Sequence, residues 1–352
     1  MDTINSLSTG AAGTTGTPGT IGKSAVGTSG TSSYRQSAVS RESRATKARR
    51  PAVREDYITR NKRISDTLPP EYKSIWDDLL MPVDTNISLE SVILTDENRR
   101  KITDFLKETE YRDQLLRHGL EPMNRILMYG ASGTGKTYLS KAISNHLGYT
   151  MLYVDIAKSL TDDTVSKNIA DIFKLANYIG NCVIFFDECD AIAWNRDADN
   201  ADSGTIRRAT NSIFQYLDQM NKTNIFISCT NMLHRLDAAF ERRFNLKMEF
   251  RRPSLDLDEC IKHFLYPTFN LEDDVSDDLR DIVKRRTHQN MKLSYYEIEE
   301  LIKKAMKRSV LNNTTIVKTS DIYKDFALAM NIKHRFGTGN DAEEIFHNEN
   351  HY

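Results

Sequence analysis

Met128-Tyr129-Gly130-Ala131-Ser132-Gly133-Thr134-Gly135-Lys136-Thr137 is the stretch on which the reading of this chain turns. It has the pattern G-x-x-x-x-G-K-[ST], a P-loop. The apolar run Arg125-Ile126-Leu127-Met128-Tyr129 precedes it, and the helix-like run Tyr138-Leu139-Ser140-Lys141-Ala142-Ile143 follows it. Strand, loop and helix in that order are the context the motif requires. Glycines let the backbone curl so that its N–H groups face phosphate, and the helix N-terminus adds its positive dipole end. Residues 130–138 are therefore the expected nucleotide-binding segment: Gly130, Ala131, Ser132, Gly133, Thr134, Gly135, Lys136, Thr137 and Tyr138. Lys136 is placed to reach the β- and γ-phosphates of ATP, and Thr137 to hold Mg²⁺. The alternative is a glycine-rich turn that binds nothing; the complete spacing and flanking elements weigh against it.

Outward from this loop, the chain reads as a soluble globular protein of about two domains, judged from length. It has 352 residues, 39% hydrophobic and 28% charged, with a formal net charge of −1. That balance gives no bulk attraction to nucleic acid or membrane. No apolar run approaches the roughly 20 residues that span a bilayer. The start of the sequence lacks the apolar segment of a secretory leader. Cys182, Cys189, Cys229 and Cys260 show neither C-x-x-C nor zinc spacing and are expected as buried thiols in a reducing compartment, which places the protein in the cytoplasm.

Four segments follow from composition. Residues 1–64 form a tail, first Gly/Ser/Thr-rich and expected to be disordered, then basic between Arg41 and Arg63. The basic part is a candidate nucleic-acid contact, although no aromatic residues interleave as stacking platforms; a solvated linker is the plainer reading. Folded sequence is expected from near Leu68. Residues 65–252 carry strand-like runs at 125–129, 150–154, 182–186, 224–228 and 246–250, separated by helical patterns. This alternation predicts an α/β fold: a P-loop parallel five-stranded sheet flanked by helices. Residues 253–332 read as a small all-helical lid domain. There Ser294-x-x-Glu297 forms a capping box ahead of an apolar face of Ile298, Leu301, Ile302, Ala305 and Met306. Residues 333–352 form a polar C-terminal tail.

A second motif narrows the chemistry. Cys182-Val183-Ile184-Phe185-Phe186-Asp187-Glu188 is an apolar strand ending in two acids. Its C-terminal end would project both acids into the crevice where an α/β sheet binds ligand. Asp187 is expected to help hold Mg²⁺, and Glu188 to orient and deprotonate the attacking water. The strand-like run Ile225-Phe226-Ile227-Ser228-Cys229-Thr230 ends in Asn231, whose amide would sense the γ-phosphate; taken alone, a turn-forming asparagine is the simpler reading. Arg242 and Arg243 follow, cations suited to a transferring phosphoryl group, though paired arginines are usually solvated.

In this order the motifs resemble the AAA clade of the AAA+ ATPases, over about residues 91–310. Asp187-Glu188-Cys189-Asp190-Ala191-Ile192-Ala193 is similar to the family's Walker B stretch, Thr230-Asn231 to its sensor-1 motif, and residues 236–244 to its arginine-finger segment. The resemblance implies a ring, often a hexamer, in which Arg242 and Arg243 reach the nucleotide of the neighbouring subunit. It places Val92 and Ile93 at the adenine pocket and brings His263 toward the base from the lid, a helix-face packing role being equally open. Three features depart from the family pattern. The two arginines are adjacent, as in the microtubule-severing branch. The position near Tyr296 lacks the sensor-2 arginine, as is normal in this clade. The pore-loop triplet falls on Thr161-Asp162-Asp163, where no aromatic stands, so substrate threading by bulky side chains is in doubt.

The expectation is thus a Mg²⁺-dependent ATPase that assembles into a ring and remodels a macromolecule, an unknown protein or protein complex first of all, with no membrane association. A DNA-linked protein such as a helicase loader, and an ATP-gated assembly scaffold, are the alternatives.

Overall fold

The computed structural model describes residues 57–159, 164–191, 203–253, 256–290 and 292–331. Helices α1 (Tyr57–Thr67) and α2 (Pro70–Leu79) lead into β1 (Leu80–Met81). Then come α3 (Asp96–Glu110), α4 (Arg112–Arg117), β2 (Arg125–Gly130), α5 (Lys136–Leu147), β3 (Thr150–Val154), α6 (Ile156–Ser159), α7 (Val165–Ile179) and β4 (Cys182–Phe186). Next are α8 (Ser203–Gln219), β5 (Ile225–Thr230), α9 (Ala238–Glu241) and β6 (Leu246–Phe250). A smaller unit of α10 (Leu257–Phe264), β7 (Asn270–Glu272), α11 (Asp277–Asn290), α12 (Tyr295–Leu311), β8 (Ile316–Lys318) and α13 (Thr319–Ala329) completes the described chain.

The main sheet has the order β1-β3-β4-β5-β2-β6. Neighbours from β3 to β6 pair in parallel, and β1 pairs antiparallel with β3 through Leu80 and Met81. The five parallel strands are those expected; the two-residue edge strand is a sixth, too short for any alternation to betray it. Successive residues of each strand feed opposite cores, as the period of two demands. Leu127, Leu152, Ile184, Phe186 and Phe226 pack on one face with α7 and α8. Ile126, Met128, Met151, Val183, Phe185, Ile225 and Ile227 pack on the other with α3 and α5. Burial on both faces is why these strands read as continuous apolar runs. Each such side chain taken out of water contributes about 1.5–3 kcal/mol.

Two boundaries differ from expectation for identifiable reasons. Strand β5 starts at Ile225, because the Asn224 side chain makes its own bonds. Its Oδ1 accepts from the Cys182 backbone N–H (3.3 Å), and its Nδ2 donates to Ala176 O (3.0 Å). Ordered structure also begins before residue 65. Helix α1 is polar, but Ile64 packs against the first core, Leu68 is buried, and Arg60 donates to Tyr149 O at 3.4 Å. Part of the basic segment thus serves the fold.

The smaller unit has its own core, built on Leu257, Ile261, Val283, Ile298, Ile302, Val317, Ile322 and Phe326. It is not wholly helical: β7 and β8 pair in parallel, with Leu271 opposite Val317. Three-residue strands so far apart in sequence leave no periodic trace. Ser294 caps α12 in the expected box, its hydroxyl accepting from Glu297 N (3.3 Å) while Glu297 Oε2 accepts from Ser294 N (2.7 Å). All four cysteines are buried free thiols, as expected. Among the described residues no helix is long and apolar enough to cross a membrane.

Candidate active site

Parallel strands β2, β4 and β5 end on one rim of the sheet, where doubly wound folds bind ligands. Gly130 ends β2 with φ 136°, and a Cβ there would lie 1.9 Å from Phe250 O of β6, so only glycine lets the loop leave between these strands. Helix α5 then starts at Lys136. The Lys136 ammonium turns back into the loop, donating to Gly130 O (2.8 Å), Ala131 O (2.7 Å) and Asn231 Oδ1 (2.7 Å). Burial pulls it below its ordinary value, opposed by neighbouring acidic groups including Asp187, Asp190 and Glu188. Thr134 closes the loop by donating to Ala131 O at 2.7 Å.

The acids follow the fully buried β4. Asp187 Oδ2 accepts from Thr137 Oγ1 (2.7 Å) and from the Tyr153 hydroxyl (3.0 Å), while Oδ1 accepts from Glu188 N (3.1 Å). Burial, and then the Asp187 carboxylate, push the Tyr153 phenol upward, so it keeps its proton. Glu188 is exposed and sits at φ 51°, a left-handed conformation uncommon in a residue with a Cβ, which aims its carboxylate into the cleft. On the next strand, Thr230 donates to Asp190 Oδ1 (2.8 Å) and accepts from Met232 N (2.9 Å), shaping the turn that carries Asn231.

Lys136, Asp187, Glu188 and Asn231 line one cavity of about 780 Å³. Val92 and Ile93 form one side; residues 132–138, Asp187, Glu188 and Asn231 form the floor; His263, Tyr266, Tyr295 and Tyr296 come from the smaller unit. His263 is exposed, with Nε2 3.1 Å from Ser91 O, while Cys260 and Ile261 supply the packing face of α10. Gly130 and Ala131 do not line the cavity; their carbonyls hold Lys136 instead.

The loop also touches the smaller unit directly. Gly133 has φ 72°, its carbonyl accepts from Tyr296 N (3.2 Å), and an added Cβ would lie 2.6 Å from Ser294 Oγ. Gly133→Ala therefore combines backbone strain of about 1–2 kcal/mol with displacement of the α12 N-terminus. We expect a lower Tm and at least tenfold weaker binding of a fluorescent ATP analogue. Unchanged values of both would refute this account of the loop.

Arg242 and Arg243 lie outside the cavity. Arg242 is exposed. Arg243 is folded onto its own chain: its guanidinium lies 3.9 Å from the Phe214 ring centre, Nη1 donates to Ala239 O (2.9 Å), and Nε is 3.9 Å from Asp218. The pair expected to act together is thus divided between an exposed and a tethered guanidinium. The pore-loop triplet 161–163, Ile192 and Ala193 lie outside the described residues.

Sequence reasoning missed Tyr153, Ser91, Tyr266 and Tyr295. For Tyr153 a signal existed, a polar aromatic near the end of the strand beside the acid-bearing strand. The others depend on where the smaller unit docks. Ser91 Oγ lies 3.1 Å from Tyr138 OH, a contact no spacing rule gives.

A P-loop, two acids at the next strand end and an asparagine beside them, on a parallel sheet with helices on both faces, define a P-loop nucleoside triphosphatase. Residues 126–252 match the model of the family described as "ATPase family associated with various cellular activities (AAA)". Residues 126–252 thus form an AAA-type ATPase domain, of a nucleotide-binding class that hydrolyses ATP. It is 28% identical, over 69% of its length and 72% of the relative's, to an uncharacterized AAA family ATPase of Sinorhizobium fredii. It is also 28% identical to a 26S proteasome regulatory subunit 6B homolog of Dictyostelium discoideum, and 29% identical to a probable 26S proteasome regulatory subunit 6B of Caenorhabditis elegans. Those two matches cover 74% of this chain, which spans 65% and 64% of the respective relatives.

Proposed function

We propose that the chain is a Mg²⁺-dependent ATPase that assembles into a ring, most simply a hexamer, and remodels a protein or protein complex in the cytoplasm. One observation carries the ring. The cavity holds Lys136, Lys141, Asp187, Glu188 and Asn231 but no arginine among its lining residues, while Arg242 stands exposed elsewhere on the same chain. A second copy would supply the missing forked cation. The names of the proteasomal relatives favour a protein as the substrate over a nucleic acid.

Within this reading the Lys136 ammonium exchanges its three oxygen acceptors for phosphate oxygens, and the loop amides donate to the same phosphates. Thr137 and Asp187 suit Mg²⁺: both offer hard oxygen donors. Mg²⁺ is usually held by one or two protein groups plus substrate phosphates, and here the hydroxyl and the carboxylate lie 2.7 Å apart. When bound, the ion neutralises charge on the phosphates. Glu188 accepts the proton of the attacking water, and Asn231 aligns that water. Val92, Ile93 and His263 bound the base.

Sedimentation of purified Glu188→Gln protein, with and without Mg-ATP, tests the assembly. The expected result is a shift from monomer to one discrete large species. A monomer in both conditions would remove the ring.

A further inference from the structure

The Asp187 carboxylate is held by more of its own chain than a metal-binding role requires. Oδ2 accepts two hydroxyl donors, Thr137 at 2.7 Å from α5 and Tyr153 at 3.0 Å from β3, and Oδ1 accepts the Glu188 N–H at 3.1 Å. Tyr153 is the penultimate residue of β3 and stands opposite Phe185 of β4 in the sheet register. Its ring packs edge-on against that of Phe185, with centroids 4.9 Å apart and planes at 69°. The ring is thus fixed by the core, and the hydroxyl alone reaches the rim.

We propose that Tyr153 is a positioning residue for the nucleotide-bound metal: its hydroxyl locks the orientation of Asp187. The inference rests on the Mg²⁺-dependent reading above. The torsion that turns a carboxylate is broad and weakly restrained by itself. Thr137 cannot restrain it alone, since its oxygen is shared with the ion it also serves. The phenol does not ligate the ion and is anchored on β3, between β1 and β4, with β4 and β5 standing between it and the strand that feeds the P-loop. Removing such an outer partner typically lowers metal affinity about 10–100-fold.

The test compares full-length wild type, Tyr153→Phe and Phe185→Leu. Binding of a fluorescent ADP analogue is titrated with Mg²⁺ and repeated in EDTA, and Tm is recorded for each protein. Tyr153→Phe keeps the ring and removes the hydroxyl. It should raise the Mg²⁺ concentration for half-maximal nucleotide retention at least tenfold, with Tm and the EDTA affinity unchanged. Phe185→Leu keeps the hydroxyl and should lower Tm while shifting the Mg²⁺ midpoint far less than Tyr153→Phe does. An unchanged midpoint in Tyr153→Phe would overturn the proposal, as would an equal shift in both variants, which would assign the effect to packing. A wild type whose nucleotide binding ignores Mg²⁺ would instead overturn the underlying reading.

Discussion

Glu188→Gln is expected to lower ATP turnover by about 10²–10⁴-fold, the usual contribution of a positioned proton acceptor, while nucleotide binding is retained. Glutamine has the same shape, so the left-handed turn at φ 51° and the backbone bond to Asp187 should survive. It lacks a carboxylate able to take the proton of the attacking water. None of the described hydrogen bonds uses the Glu188 side chain, so the change should leave Tm within about 1 °C, as surface substitutions away from structural features usually do. Steady-state phosphate release and equilibrium binding of a fluorescent analogue separate the two quantities. Parental turnover in this variant would show that another group accepts the proton.

Arg242→Ala should lower turnover further, by roughly 10³–10⁵-fold, the range for a cation supplied to the transferring phosphoryl group. The adjacent Arg243→Ala should behave differently. It removes a guanidinium stacked on Phe214 and bonded to Ala239 O. Stability should fall by about 1 kcal/mol, and turnover only as far as the Arg242 turn loosens. The decisive measurement mixes Arg242→Ala with Glu188→Gln subunits. Each is inactive alone, yet an interface joining an intact Arg242 to an intact Glu188 would restore a fraction of turnover. Recovered activity marks an arginine acting across copies. A mixture as inactive as its components would place Arg242 within its own site or outside catalysis.

Both predictions concern residues legible before any coordinates, and the reason is physical. The P-loop and the acids after β4 are short, contiguous and bound to strand ends, so local pattern specifies them. The five parallel strands were legible too, because burial on both faces writes each as an unbroken apolar run. Strand β1 and the β7–β8 pair were not, being two or three residues long and paired across distant sequence. Helix α1 was hidden by its polarity; Ile64 and Arg60 are among the residues that tie it down. The division between Arg242 and Arg243 depends on Phe214, some thirty positions earlier, and the tyrosines of the cleft depend on how the second unit docks. Such contacts arise from tertiary packing and have no local signature.

The backbone bond from Tyr296 N to Gly133 O makes one peptide common to the phosphate cradle and to the first turn of α12. An energetic link between two binding events is the same size read from either end. If nucleotide shifts this peptide and so tilts α12, then a neighbour or client that tilts α12 changes nucleotide affinity by an equal factor. Whatever displaces the first turn of α12 would thereby also change how long nucleotide stays in the cleft.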